Sequence, residues 1–543
     1  MITTAAYMCD RLISAASDAW AWWAEAHNEK DKWAQAILTV SSLALLIIWY
    51  IWTTLHSKSR KPHNLRYPPG PRGLPLVGHL PFLDPQLHTY FANLATTYGP
   101  IYKLKLGNKL GVVVTSPSLA REILRDNDVT FANHDVPLVA RVVAYGGSDV
   151  VWTPYGPEWR MLRRVCVRDM LNNASLDAVY ALRKREVKRM VKAIHCRIGS
   201  PTNLGEELFL TILNVITNML WGGSCGGGGG DERLASLGAE FRVVVGEITE
   251  LLGKPNLSDF FPSLARFDLQ GLERDMKVLF LRFDRIFDTM IEQRLKSMEG
   301  GSVGQECKDF LHTLLQLKNE GQGKVPFTME HLKALFMDMV VGGTDTTANT
   351  LEWAMAELMN KPETMSKAQE ELDIVVGKDC EVEEFHLPKL QYLQAVVKEA
   401  LRLRPGVPLL VPHCPSSSCN IGGYLIPKGA RVFLNVWAMH RDPSIWDNPL
   451  EFNPERFMNS TCDYNGNYFN YLPFGSGRRI CAGIPMAEKM LMYGLATLLH
   501  LFDWELPKDS KLELKEKFGI VMKKATPLIV VPKPRLSQAN LYS

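Results

Sequence analysis

Phe474-Gly475-Ser476-Gly477-Arg478-Arg479-Ile480-Cys481-Ala482-Gly483 reads as a loop built to hold one cysteine. Gly475 and Gly477 let the backbone take tight left-handed turns that a side chain would forbid. Such a loop can turn its N–H groups inward toward a sulfur. The run that follows, Met486-Ala-Glu-Lys-Met-Leu-Met492, is helix-forming, so Cys481 is predicted at a helix N-terminus. There the dipole and neighbouring arginines favour thiolate over thiol. A lone thiolate with backbone donors suits one axial bond to a haem iron, with Arg479 free for a propionate. A surface turn beside a buried structural cysteine is the plainer reading of an arbitrary Gly-x-Arg-x-Cys. Here Phe474, Gly477, Arg479, Cys481 and Gly483 fall together, which speaks against it.

The chain has 543 residues, 46% hydrophobic and 22% charged, with a net charge of +3. That is a globular composition, and length alone suggests about three or four domains. No linker long enough to divide it is visible, so one large helical unit is also compatible. Without a long basic run or zinc-finger spacing, a nucleic-acid partner is not expected. The 10 cysteines are scattered and suit a reducing compartment. Cys414 and Cys419 are the one close pair, at a spacing wrong for a zinc knuckle. Cys225 with Gly226–Gly230 reads as a surface loop without chemistry.

Residues 33–55 carry no charged side chain and are long enough to cross a bilayer as a single helix. Trp33, Trp49, Tyr50 and Trp52 lie toward its ends, as interfacial anchors do. Lys58, Arg60, Lys61 and Arg66 follow it, while Glu25, Glu29 and Asp31 precede it. The positive-inside rule then puts residues 1–32 in the lumen and the body in the cytosol. Residues 56–75 read as a basic, proline-rich hinge: Tyr67-Pro-Pro-Gly-Pro-Arg-Gly-Leu-Pro75 forbids helix and favours a stiff arm. Residues 76–543 form the catalytic body, predicted as mainly α with small β-sheets. Ile101–Leu106 and Leu110–Val114 read as a hairpin across Gly107-Asn108, and Ser116-Pro117 opens a helix.

Thr328 to Met359 reads as one long helix capped by Thr328. Two glycines inside it, Gly342 and Gly343, cost about 1 kcal/mol each relative to alanine, so missing side chains are needed there. The Thr346 hydroxyl can bond back to the Gly342 carbonyl or replace a backbone donor, and either arrangement opens a notch where dioxygen could sit. The stretch Leu387–Arg402 is amphipathic, with Glu399 and Arg402 one turn apart. Trp159 and Arg163 are also one turn apart, and Arg160, Arg164 and Arg168 recur every four residues.

These motifs together resemble the cytochrome P450 family of haem-thiolate monooxygenases. The signature Phe-x-x-Gly-x-Arg-x-Cys-x-Gly is matched throughout, as is the segment Gly342-Gly-Thr-Asp-Thr-Thr347. The resemblance implies the P450 fold and a haem b cofactor with Cys481 as the axial ligand to its iron. It further implies that Thr346 acts on the reduced oxygen and that Asp345 relays protons from solvent. Trp159 and Arg163 would meet one propionate and His413 the other. Glu399, Arg402 and Arg456, the last in Pro454-Glu-Arg-Phe457, would form a buried network that holds the haem-binding core. Electrons would come from NADPH through a P450 reductase docked on the Arg160, Arg164 and Arg168 face. The proline hinge resembles that of microsomal members, which implies a single-pass anchor in the endoplasmic reticulum membrane.

The wording of Ile101-Tyr-Lys-Leu104, Val341–Thr347 and Leu409-Leu-Val-Pro412 is similar to plant members of specialised metabolism, nearest to the group that oxidises sesquiterpenes and other terpenoids. Sesquiterpene hydroxylation is therefore the expected reaction, and hydroxylation of a flavonoid or other phenolic is the alternative. A haem-thiolate isomerase or dehydratase working without O2 or a reductase is a further reading, opposed by the intact Asp345 and Thr346. A non-enzymatic haem sensor is another. Val340, Val341, Val407, Leu409, Leu410 and Ile520 are expected to line an apolar pocket for a lipophilic small molecule.

Overall fold

The computed structural model describes residues 37, 39–42, 44, 45, 47–49, 66–222, 232–299, 309–321 and 325–543. Most of the expected membrane span, most of the hinge's basic half and the loop at Cys225 lie outside them. The described residues between 37 and 49 are helical, and Ile37, Val40, Leu45, Ile47 and Ile48 are exposed. Among the described residues, no helix is long and apolar enough to cross a membrane. One compact unit runs from Pro68 to Ser543. Its first residues lie extended along the first strand, where the Lys103 amide donates to the Pro69 carbonyl at 2.8 Å.

Helices dominate, and the organising one is Met329–Asn360. Thr328 caps it reciprocally: its hydroxyl accepts from the His331 amide at 3.2 Å, and His331 Nδ1 accepts from the Thr328 amide at 3.1 Å. Side chains from Leu332 to Leu358 are buried on nearly every face, as a helix apolar all round requires. It packs on Leu204–Trp221, on Gln391–Leu403 and on Ile484–Leu501, the helix that follows the cysteine loop. The helix expected from Leu387 starts only at Gln391, because Pro388 sits in a short 3-10 turn, Glu384–Lys389.

The main sheet orders its strands Ile101–Leu106, Lys109–Val114, Arg431–Leu434, His413–Cys414 and Asn133–His134. The first two form the expected hairpin, with Tyr102 opposite Val113, and Arg431–Leu434 joins in parallel with Phe433 opposite Val113. Alternation places Ile101, Val112, Val114 and Val432 in one apolar cluster and Tyr102, Leu104, Val113 and Phe433 in another. The sheet is thus buried on both faces. In the last pairing, His134 faces His413.

Two charge networks lock distant segments together. Arg402 donates to Glu399 at 2.7 and 2.8 Å and to the carbonyls of His440, Pro449 and Glu451, while Arg456 donates to Glu399 at 3.0 Å. Glu399 and Arg402 are 0% exposed, so this pair is the buried network rather than a solvated surface bridge. Glu516, near the C-terminus, accepts from His88 at 2.8 Å, Trp437 at 3.1 Å and Arg441 at 3.2 Å, and also from Arg404. Burial alone would raise the carboxyl, but these donors hold it at about 2.

Removing one partner of a buried pair leaves an uncompensated charge, which costs about 3–5 kcal/mol. Glu399→Ala is accordingly expected to lose roughly that much stability, read as a lowered urea midpoint.

Candidate active site

The cysteine loop closes where the Cys481 amide donates to the Phe474 carbonyl at 3.0 Å. Gly475 and Gly477 have φ of +74° and +70°, as the sequence requires. At Gly477 a side chain is also excluded by contact, since a Cβ would lie 2.3 Å from the Leu124 carbonyl oxygen. Helix Ile484–Leu501 begins directly beyond, with Gly483 at its N-cap. The Gly483 amide donates to Cys481 Sγ at 3.3 Å. Phe474 packs edge-on against Tyr464, with ring centroids 5.4 Å apart.

The sulfur is therefore where the sequence put it, but the surrounding protein does not acidify its thiol. Burial pushes it up, and the Gly483 and Ile484 amides with the Arg163 charge recover only part of that. Cys481 keeps accessible surface, yet protein surrounds it at longer range, and that surrounding medium governs the cost of charge. Coordination to a metal ion deprotonates a thiol outright.

Arg163 lies on helix Pro157–Arg164 and is partly buried. Burial lowers it, and the charge of Cys481 is within its electrostatic reach. Among the described residues it makes no hydrogen bond or ion pair, so a carboxylate brought into the site would find a ready cation. Trp159 donates from Nε1 to the Val150 carbonyl at 3.0 Å. Arg479 was expected to be free for a propionate; instead, its guanidinium donates to the carbonyls of Ala132, Val150, Val151 and Thr153 and lies 4.7 Å over the Trp159 ring. Those carbonyls come from a loop whose folding sequence patterns do not specify. His413 bonds the Phe131 carbonyl at 2.7 Å through Nδ1, and burial drives it down to about 4.

On the central helix, the Thr346 hydroxyl donates to the Gly342 carbonyl at 2.7 Å, the first of the two arrangements open to it. The α-helical assignment is unbroken through this region. The notch is one of missing side chains: Gly342 is exposed, and a Cβ there would meet nothing within 4 Å. Gly343 serves packing instead, because its Cβ would lie 2.9 Å from Ile216 Cδ1. Asp338, Gly342 and Thr346, four residues apart, all keep accessible surface on an otherwise buried helix, which marks one stripe as facing a cleft. Cys166 feels the charges of both Asp338 and Cys481 and is pushed up to about 12, mainly by burial. The stripe and the cysteine loop thus share one interior neighbourhood.

Three groups here escape sequence reading. His134 stacks edge-on with His413 at 5.1 Å and bonds the Val151 carbonyl at 2.8 Å. Asp149 and Asp338 form a hydrogen-bonded carboxyl pair, with Asp338 accepting from the Val150 amide at 2.8 Å. Burial raises both, Asp149 to about 6, and the neighbouring Asp149 charge raises Asp338 further. Lys523 pairs with Asp345 at 2.7 Å. Of the expected pocket residues, Val341, Val407, Leu410 and Ile520 keep accessible surface, and Leu410 approaches the cysteine loop at Gly475. Val340 and Leu409 are buried in the core, Leu409 against Tyr102 and Phe433.

A sulfur at a helix N-terminus, an unpaired guanidinium beside it and a bare glycine stripe fit a flat, doubly anionic macrocycle with one axial sulfur ligand. The site is that of a haem-thiolate protein. The family model described as Cytochrome P450 matches residues 68–531. The flavonoid 3'-monooxygenase of Petunia hybrida is 39% identical over 93% of this chain and 99% of its own length. Carnosic acid synthase of Rosmarinus officinalis is 38% identical over 91% and 99%. A solved zebra fish cytochrome P450 with progesterone superposes with a TM-score of 0.71 at 28% identity, covering 82% of this chain and 99% of that one. The chain belongs to the cytochrome P450 family and is a monooxygenase with a haem cofactor.

His413 and His134 are neutral in the folded protein and titrate below the free value of about 6.5. Between about 6.5 and 4 the unfolded chain binds protons that the folded one refuses, so their contribution is complete above 6.5 and lost as pH falls. The thermal midpoint of the wild type should drop across that window more steeply than that of His413→Gln.

Proposed function

We propose that this chain is a membrane-anchored, reductase-dependent hydroxylase of a lipophilic phenolic compound of the flavonoid class. The observation that carries the substrate class is the 39% identity to the Petunia hybrida flavonoid 3'-monooxygenase over almost its whole length. The same enzyme type from Arabidopsis thaliana matches equally well. These relatives displace the sesquiterpene expectation in favour of its phenolic alternative. Carnosic acid synthase, at 38%, supports a terpenoid as the second reading. The cleft adds a chemical reason: the Asp338 carboxyl, paired with Asp149, gives a phenolic hydroxyl a polar partner that a hydrocarbon would not use.

When bound through Cys481, haem supplies the oxygen-activating chemistry. The Gly483 and Ile484 amides and the Arg163 charge offset part of the cost of a sulfur anion, and Arg163 would hold a propionate. His413 and Trp159 shape the same rim as neutral groups. Val341, Val407, Leu410 and Ile520 exclude water and hold the substrate so that position selects the carbon attacked. Thr346 and Asp345 hold and move the protons that oxygen reduction consumes. Arg160, Arg164 and Arg168 are all exposed, which suits docking of an acidic reductase that passes on electrons from NADPH. Residues 33–55 would anchor the chain in the endoplasmic reticulum membrane with the body in the cytosol.

Cys481→Ser should abolish the red-shifted carbon monoxide band of the reduced protein, and its persistence would remove the thiolate from the mechanism. Mass spectrometry of microsomes co-expressing a reductase, fed flavonoid and sesquiterpene panels, should show a hydroxylated flavonoid. In the same assay, Asp338→Ala is expected to raise the flavonoid KM about tenfold, the scale of a lost polar contact. Products confined to the sesquiterpene panel would reverse the assignment.

A further inference from the structure

Asp345 is held in an unusual way for a buried acid. Its side chain is 3% exposed, and Oδ1 accepts from Lys523 at 2.7 Å and from Asn349 at 3.0 Å. Oδ2 is buried and has no hydrogen-bond partner among the described residues. A buried acceptor left without a partner is costly, and a purely structural ion pair would not retain that cost without reason. Lys523 is 45% exposed, so its stem spans the distance from solvent to the inner carboxylate. Asp345 immediately precedes Thr346.

The support for Lys523 is tied down, whereas its head is half exposed. It lies on the short strand Lys523–Lys524, paired with Glu516–Lys517. Glu516 fixes that hairpin to His88, Arg404, Trp437 and Arg441. Lys517 stands directly across from Lys523, a like-charge pairing that opposes a settled position. Glu250, on helix Glu232–Leu252, lies within electrostatic reach of both lysines and is itself paired with Lys254 at 2.9 Å. On the inner side, Glu352 feels Lys523, Lys524 and Asp345, while accepting from the Leu528 amide at 2.8 Å. Lys524 is committed to the Glu513 carbonyl and lies 4.8 Å over the Trp353 ring. Lys523 is thus the cation of this group that has both a buried partner and a path to water.

We propose that Lys523 is a positioning residue that gates proton supply to Asp345. Paired, it keeps the carboxylate anionic and shut off from solvent. Swung outward, it admits water, and a hydronium proton is transferred to Asp345. The acid then gives that proton up toward Thr346, and the anion left behind is paired again by Lys523. The inference rests on the proton-handling role proposed for Asp345 and Thr346 and adds the residue that controls its connection to bulk water.

The test uses the full-length, haem-loaded protein with Lys523→Met, Lys523→Arg and Asp345→Asn. Deuterium exchange of helix amides 342–349, followed by mass spectrometry without reductase, should be at least about threefold faster in Lys523→Met and near the wild-type rate in Lys523→Arg. With reductase and NADPH but no added substrate, the solvent isotope effect on NADPH oxidation should shrink in Lys523→Met and be retained in Lys523→Arg. Unchanged exchange and an unchanged isotope effect in Lys523→Met, with Asp345→Asn still impaired, would overturn the gate alone. If Asp345→Asn also behaves as wild type, the proton role of Asp345 falls and the gate with it.

Discussion

Burial opposes the charge that Cys481 has to carry, and the structure is organised around that opposition. The protein that surrounds the sulfur raises the cost of its anion, and the Gly483 and Ile484 amides with Arg163 recover only part of it. The remainder falls to the metal. Each supporting feature limits the sulfur's freedom rather than its charge. Gly477 seats the loop against the Leu124 carbonyl, Phe474 closes it, and Ile484–Leu501 anchors it to the central helix. The Glu399, Arg402 and Arg456 network then ties the adjoining segments to that frame.

The central helix reconciles two demands that conflict in ordinary helices. Packing requires apolar side chains on every face, whereas the chemistry requires accessible surface and protons. The conflict is resolved by position: the stripe through Asp338, Gly342 and Thr346 stays open, while Gly343, one residue off it, packs against Ile216. Adjacent glycines thus serve opposite ends, one as clearance and the other as contact. The hydroxyl of Thr346 meanwhile finds its partner within the helix, at Gly342, so the open stripe carries no orphaned donor there.

What was legible in the sequence follows from how local each feature is. The glycines of the cysteine loop, the Thr328 cap, the hairpin across Gly107-Asn108 and the Glu399–Arg402 spacing are all written within a few residues, and each appears as expected. The start of the helix at Gln391 was displaced by Pro388, a local signal outweighed in the reading by amphipathic periodicity. The partners of Arg479 were not legible, because four carbonyls between residues 132 and 153 are placed by tertiary folding. Asp338 finds the Val150 amide 188 residues away, and Lys523 lies 178 residues from Asp345. No periodicity or motif links positions so far apart.

The division between legible and illegible residues is also a division of labour. Local patterns define three parts of this site: a held sulfur, a bare stripe and a hydroxyl beside an acid. Long-range pairs place polar groups around it: the Asp149–Asp338 carboxyls and the Lys523–Asp345 bridge. Both pairs join the central helix to segments outside the cysteine loop, and neither touches the sulfur. Partners on these segments can therefore differ while the loop at Cys481 and its helix stay fixed. That separation explains how so rigid a sulfur site can coexist with a cleft whose chemistry is set elsewhere in the fold.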